Sequence, residues 1–260
     1  MDRNLKNMAR AGYVAKGSVY AITGILTFMA AFNMGGQKTG KLQVLQFLDQ
    51  QSFGNALLIL MAVGLACYAA WRFVQSVSDP EGIGSHGKAK AKRFAFFISG
   101  IIYLGLAVTA VLRVINAGNS GSGSAASKSS ILASDIGLLL LGAAGVAIII
   151  AGIYQFKQAY SKSFMKHFDM LTLDREKRKM LKNSAYIGLC SRGVIFLIIG
   201  YFALRAAITS NPSQIKTTAD AFAFLQESDY GSWLMGIVAA GLVGYAIYMF
   251  MMAKYRRFRG

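Results

Sequence analysis

Lys16-Gly17-Ser18-Val19-Tyr20, Ser99-Gly100-Ile101-Ile102-Tyr103 and Arg192-Gly193-Val194-Ile195-Phe196 are three copies of one short pattern. A small residue follows four positions later in each: Gly24, Ala107 and Gly200. Each copy sits near the start of an apolar run, and a second apolar run follows it. The second runs align as well. Gly54, Gly137 and Gly231 correspond, and Trp71-Arg72-Phe73 corresponds to Tyr154-Gln155-Phe156 and Tyr248-Met249-Phe250. One offset relates the first two copies throughout, and the third needs a single inserted residue. A register kept over about 60 residues marks a true internal repeat.

The six runs cover residues 17–32, 53–73, 94–115, 136–156, 187–208 and 233–252. A helix rising 1.5 Å per residue needs roughly 20 residues to cross a hydrocarbon core of about 30 Å. Apolar residues make up 55% of the chain and charged residues only 15%, against about 25% charged in soluble domains. Both prolines, Pro80 and Pro212, fall between runs, so unbroken helices are expected where no water can satisfy the backbone. The chain is read as one all-α integral membrane domain, residues 1–260. Its three two-helix repeats are residues 10–78, 93–161 and 185–255. Two spans per copy give every copy the same orientation, so a pseudo-threefold axis along the membrane normal is predicted. The first run is too long for a signal-peptide core and is kept as a helix.

Lys and Arg set orientation through short loops and span ends. The N-terminal segment, second loop, fourth loop and C-terminus hold 22 of the 28 basic residues and six of the eleven acids, a net +16. The opposite side holds a net +1. Both termini are therefore expected to be cytoplasmic, in a bacterial inner (plasma) membrane. A total charge of +17 segregated in this way favours anionic lipid headgroups over nucleic acid. Nothing points to a homo-oligomer.

The pattern of Lys or Arg, Gly, two residues, Tyr or Phe, three residues and Gly resembles the bacterial membrane family labelled domain of unknown function 1206. Arg10-Ala11-Gly12-Tyr13-Val14-Ala15 resembles that family's opening. The family's unit typically occurs three times. The second copy departs from it, with Ser99 for the basic residue and Ala107 for glycine. The resemblance implies architecture and brings no activity, cofactor or site with it.

Several chemistries find no support. No acid lies at the centre of a span, which argues against a carboxylate proton relay. No HExxH, GxSxG or P-loop motif occurs, so no catalytic residues are assigned and an enzyme is not expected. No metal or cofactor is expected: Cys67, Cys190, His86 and His167 do not cluster, and a structural zinc site needs four ligands. The candidate sites are basic. Lys16, Ser99 and Arg192 occupy equivalent positions and form a candidate vestibule at the cytoplasmic entrance. Neither basic side chain there is expected to be fully buried. Arg113 and Arg205 near the outer span ends form a candidate pathway, with Asp49, Asp135, Asp220, Glu227 and Asp229 as possible partners. Lys162, Lys166, Arg175, Lys177, Arg178, Lys179, Arg256 and Arg257 form a candidate lipid-binding surface.

Between spans, residues 42–48 and 219–225 read as short amphipathic helices in the outer interface. Residues 119–127 read as a Gly/Ser tract, and residues 83–93 as a mobile basic loop. Phe164, Met165, Phe168 and Leu171 suggest a basic surface helix in the fourth loop. Tyr20, Tyr103 and Phe196, with Tyr68, Trp71, Tyr154, Tyr245 and Tyr248, read as repeated aromatic positions, the last five near an interfacial belt. Two functions stay open. One is a channel or transporter for an ion or small solute, anionic solutes included, along the axis. The other is a membrane scaffold or lipid-binding protein with a packed centre.

Overall fold

The structure is a computed structural model, and it describes residues 3–115, 135–168, 173–211 and 214–257. The helices are α1 (Arg3–Ala31), α2 (Lys41–Asp49), α3 (Gly54–Val77), α4 (Gly87–Ile115), α5 (Asp135–Tyr160), α6 (Arg175–Ile208), α7 (Thr218–Gln226) and α8 (Gly231–Tyr255), with a 3-10 turn at Ser163–His167. Among the described residues no strand forms. α1, α3, α4, α5, α6 and α8 are long and apolar enough to cross a membrane. The chain is an all-helical, six-span membrane protein built of three repeats. The predicted Gly/Ser tract lies outside the described residues.

All six spanning helices are longer than their apolar runs, and two of them take in predicted loops. α4 begins at Gly87, so most of the predicted basic loop is its first two turns. Lys and Ala are good helix formers, and once the apolar part is anchored the helix extends into them. α6 likewise starts at Arg175 and takes in the basic residues of the fourth loop. At Ser163–His167 the predicted surface helix is replaced by the short 3-10 turn, and Leu171 lies outside the described residues. Phe164 and Phe168 point inward, their rings 5.8 and 6.3 Å from that of Tyr248. An isolated bridge between Phe168 and Arg256 ties this loop to the end of α8.

The spans pack in the order α4, α3, α1, α8, α6, α5. One contact recurs at all three junctions between copies. A Cβ built on Gly17, Gly100 or Gly193 would lie 2.6–2.7 Å from a ring carbon of Phe250, Phe73 or Phe156 respectively. Each glycine lies about midway along one copy's first helix, and each phenylalanine near the end of the preceding copy's second. A glycine without a side chain leaves the groove into which the ring sinks.

Within a copy, closeness also depends on glycine. Gly12 of α1 meets the backbone of Tyr68 in α3, and Gly188 of α6 meets that of Tyr245 in α8. Gly64 faces Ala15, and Gly241 faces Ser191. The second copy carries Ala95 and Ala151 at the first pair of positions, and Ile98 and Ala147 at the second. Among the described residues, α4 and α5 share no packed seam. Ala95 and Ala147 stand where the other copies have glycine, and Ile98 where they have Ala15 and Ser191; this added bulk is the physical reason.

α2 and α7 are the two predicted short helices. Their apolar faces are buried through Val44, Leu45, Ala221 and Phe222. The segment leading into α2 is buried at Thr39 and Gly40. The Thr39 N–H donates to Thr27 Oγ1 at 3.1 Å, four residues before α1 ends and so about 6 Å below its end.

Candidate functional site

The centre of the bundle holds cations among tyrosines. Lys16 of α1 is 4% exposed. Its Nζ donates to Tyr68 Oη at 2.8 Å and lies 4.7, 5.4 and 5.5 Å from the rings of Tyr68, Tyr103 and Tyr245. These three rings come from the three different copies. Arg72, at the end of α3, donates from Nε to the same Tyr68 hydroxyl at 2.8 Å and from Nη1 to Gln75 Oε1 at 2.9 Å. Arg192 of α6 lies 4.3, 5.3 and 5.0 Å from the rings of Tyr245, Tyr20 and Phe196. Its Nε is enclosed and has no hydrogen-bond partner. The charged groups acting on Lys16 are Arg192, Arg72 and Lys41, all positive.

Burying a cation without a counter-charge is expensive. Here ring faces and hydroxyl oxygens take the counter-charge's place, and a desolvated cation–ring contact contributes about 2 kcal/mol. The rings hold one another in edge-to-face pairs, Tyr20 with Tyr245 at 4.7 Å and Tyr68 with Tyr103 at 4.6 Å. A tyrosine hydroxyl neutralises no charge. Among the described residues no carboxylate forms an ion pair with Lys16, Arg72 or Arg192.

A second network lies towards the end that carries the termini. Arg256 donates to Glu81 and to Tyr13, Gln75 donates to Glu81, and Trp71 Nε1 donates to Tyr13 Oη at 3.1 Å. Gln75 also accepts from Arg72, so the two networks are continuous. Burial raises the Glu81 carboxyl, but Arg256, His167 and Lys92 outweigh it and hold it below its ordinary value. Burial, with Arg256 beside it, pushes the His167 imidazole down to about 4. It stays neutral at physiological pH.

The structure thus brings Lys16 and Arg192 to one cluster around Tyr245. Ser99 is half-buried, and the third cation is Arg72. The expectation that neither basic side chain is fully buried fails for Lys16. Tyrosines 52 to 229 residues away in sequence close over it, whereas a lysine flanking an apolar run reads locally as one that reaches headgroups. Tyr68 and Tyr245, predicted near an interfacial belt, are likewise central, beside Tyr20 and Tyr103. Arg113 pairs with Asp49 of α2 at 3.5 Å, while Arg205 stands exposed in the last turn of α6. Lys162, Lys166, Arg175, Lys177, Arg178, Lys179 and Arg257 are exposed. Arg256 is a correction: it is 7% exposed and held by Glu81 and Tyr13, so it is no part of a lipid-facing surface. Sequence reasoning missed Arg72 and Lys41. Arg72 could have been found as the charge inside an otherwise aromatic repeat position.

The sequence profile described as Domain of Unknown Function (DUF1206) matches three times, at residues 11–79, 94–162 and 187–256. The chain belongs to the DUF1206 family. It is 31% identical over 252 residues to a Bacillus subtilis (strain 168) protein named Uncharacterized protein YxxB, covering 97% of this chain and 91% of that one. No solved structure matches. In this DUF1206 chain the three matches place Lys16, Tyr103 and Arg192 in three successive units.

Proposed function

We propose that this protein is a non-enzymatic channel or transporter for a small anion, moving it through the centre of the six-span bundle. The observation that carries the proposal is the cluster of Lys16, Arg72 and Arg192 among tyrosines, with no carboxylate in the middle of any span. A protein that only needed to pack would fill this space with apolar side chains. The three equivalent glycine–phenylalanine junctions support a pseudo-threefold axis through the cluster. The charge asymmetry of the loops supports a bacterial inner membrane with both termini cytoplasmic. Labelling of intact cells by an impermeant thiol reagent at a cysteine introduced near residue 3 would contradict that orientation. The exposed Lys162, Lys166, Arg175, Lys177, Arg178, Lys179 and Arg257 would then meet anionic lipid.

The test is chloride efflux from vesicles containing the purified full-length protein. The parent is expected to exceed protein-free vesicles. Lys16→Gln with Arg192→Gln is expected to reduce the excess roughly tenfold or more, since two reinforcing charges are removed from a low-dielectric site. The scaffold reading has its own observation, the edge-to-face tyrosine packing that fills the centre. Efflux no faster than from protein-free vesicles would favour it and sink the transport proposal.

A further inference from the structure

The unpartnered Arg192 Nε adjoins a second feature. A cavity of about 30 Å³ is lined by Tyr20, Thr23, Lys41, Arg192 and Thr218, with Ile195 and Leu242 among its apolar walls. It lies on the side of the central cluster away from the termini, where the chain turns back into the bundle before α2 and α7. The N-termini of these two helices meet there. A Cβ built on Gly40, which precedes α2, would lie 3.3 Å from Thr218 Cβ at the start of α7.

Each of these ends is electropositive. The first backbone bonds inside the helices are Val44 N–H to Gly40 O at 3.0 Å and Ala221 N–H to Thr217 O at 2.9 Å. The N–H groups before them have no partner within the helix, and the aligned peptide dipoles place about half a positive charge at such an end. Some of these donors are capped. Gln43 Oε1 accepts from Gly40 N–H at 3.2 Å, and Asp220 accepts from the N–H and hydroxyl of Thr217, both at 2.7 Å. Asp220 is the acid in the first turn of α7, and its carboxylate is turned back on Thr217. Lys41 and Arg192 stay on the cavity wall without an acidic partner among the described residues.

We propose that this cavity between the N-termini of α2 and α7 binds one small monovalent inorganic anion of halide size. The inference rests on the transport reading above and names the class of its substrate. Two full cations, the end of α2 and the Thr and Tyr hydroxyls favour negative charge, while Asp220 already offsets the end of α7. The volume is that of one or two water-sized bodies, which suits a halide better than phosphate, sulfate or an organic acid. Lys41 Nζ also lies 5.0 Å from the Tyr103 ring, which in turn faces Lys16. An anion leaving the cavity therefore meets the central cations next.

The test is bromide titration of the purified full-length protein by isothermal calorimetry, with the Lys41→Gln and Lys41→Arg variants beside it. The parent is expected to bind bromide saturably. Lys41→Gln is expected to lose about tenfold in affinity, the size of one charge-assisted contact. Lys41→Arg keeps the charge and is expected to bind as the parent does, which separates charge from folding. Sulfate is expected not to compete. No saturable bromide binding, or parent-like binding by Lys41→Gln, overturns the inference. If chloride efflux nevertheless depends on Lys16 and Arg192, the transport reading stands and only this site is wrong. If efflux is absent as well, both fall.

Discussion

Replacing Gly12 or Gly188 by alanine tests whether the bundle is closed by direct backbone contact. A Cβ on Gly12 would lie 2.5 Å from Tyr68 Cα and 2.6 Å from its N, and one on Gly188 would lie 2.5 Å from both atoms of Tyr245. Ordinary contact begins near 3.4 Å, so the two helices must part by about 0.9 Å. Backbone cannot swing aside as a side-chain tip can. Parting them also loosens the neighbouring Gly64–Ala15 or Gly241–Ser191 approach. Overpacking costs about 1–3 kcal/mol, and these sites belong at its upper end. Gly105 of α4 is the control: a Cβ there meets nothing within 4 Å. Alanine at that position should be neutral or stabilise the helix by up to about 1 kcal/mol. The assay is reversible unfolding in mixed micelles, followed by circular dichroism. Gly12→Ala and Gly188→Ala as stable as Gly105→Ala would refute the packing account.

Three further outcomes are expected. Glu81→Gln leaves Arg256, whose side chain is 5% exposed, without its counter-charge; breaking such a pair costs about 3–5 kcal/mol, and an unchanged midpoint in the same unfolding assay would contradict it. Acid should destabilise the fold, because His167 titrates near 4 when folded against an ordinary 6.5. Between those values the unfolded chain binds a proton that the folded one refuses, so stability falls as pH drops through the window. Glu81, held below 4.5, adds a loss in the same direction at the lower end. His167→Gln should flatten the upper part of that profile, and an identical profile would argue against it. Replacing Arg175, Lys177, Arg178 and Lys179 by Gln should weaken association with acidic-lipid nanodiscs by about 1 kcal/mol per charge; equal association at matched salt would remove this surface from consideration.

The spans, their repeat register and the two short helices were legible because each rests on local pattern: apolar length, recurring glycines and amphipathic spacing. Helix ends were less so. Gly87 to Arg93 is charged enough to read as loop, yet Lys and Ala extend a helix already anchored at Phe94. The site was legible only in part. Lys16 and Arg192 stood out by equivalence, but the rings around Lys16 come from α3, α4 and α8 and those around Arg192 include Tyr20 of α1 and Tyr245 of α8, and no local signal links those distant positions. Arg256 reads as a tail charge until Glu81, 175 residues away, closes on it. The unpacked seam between α4 and α5 was written in Ala95 and Ala147, with Ile98 beside them. It becomes readable once the glycines at the equivalent positions are seen in contact.

The central claim is that unbalanced buried cations make this bundle selective for anions. The most direct measurement compares uptake of radiolabelled chloride and of radiolabelled rubidium by the same protein-containing vesicles under matched gradients. The account predicts chloride uptake well above that of protein-free vesicles and rubidium uptake equal to theirs. Rubidium uptake equal to or greater than chloride uptake would contradict it.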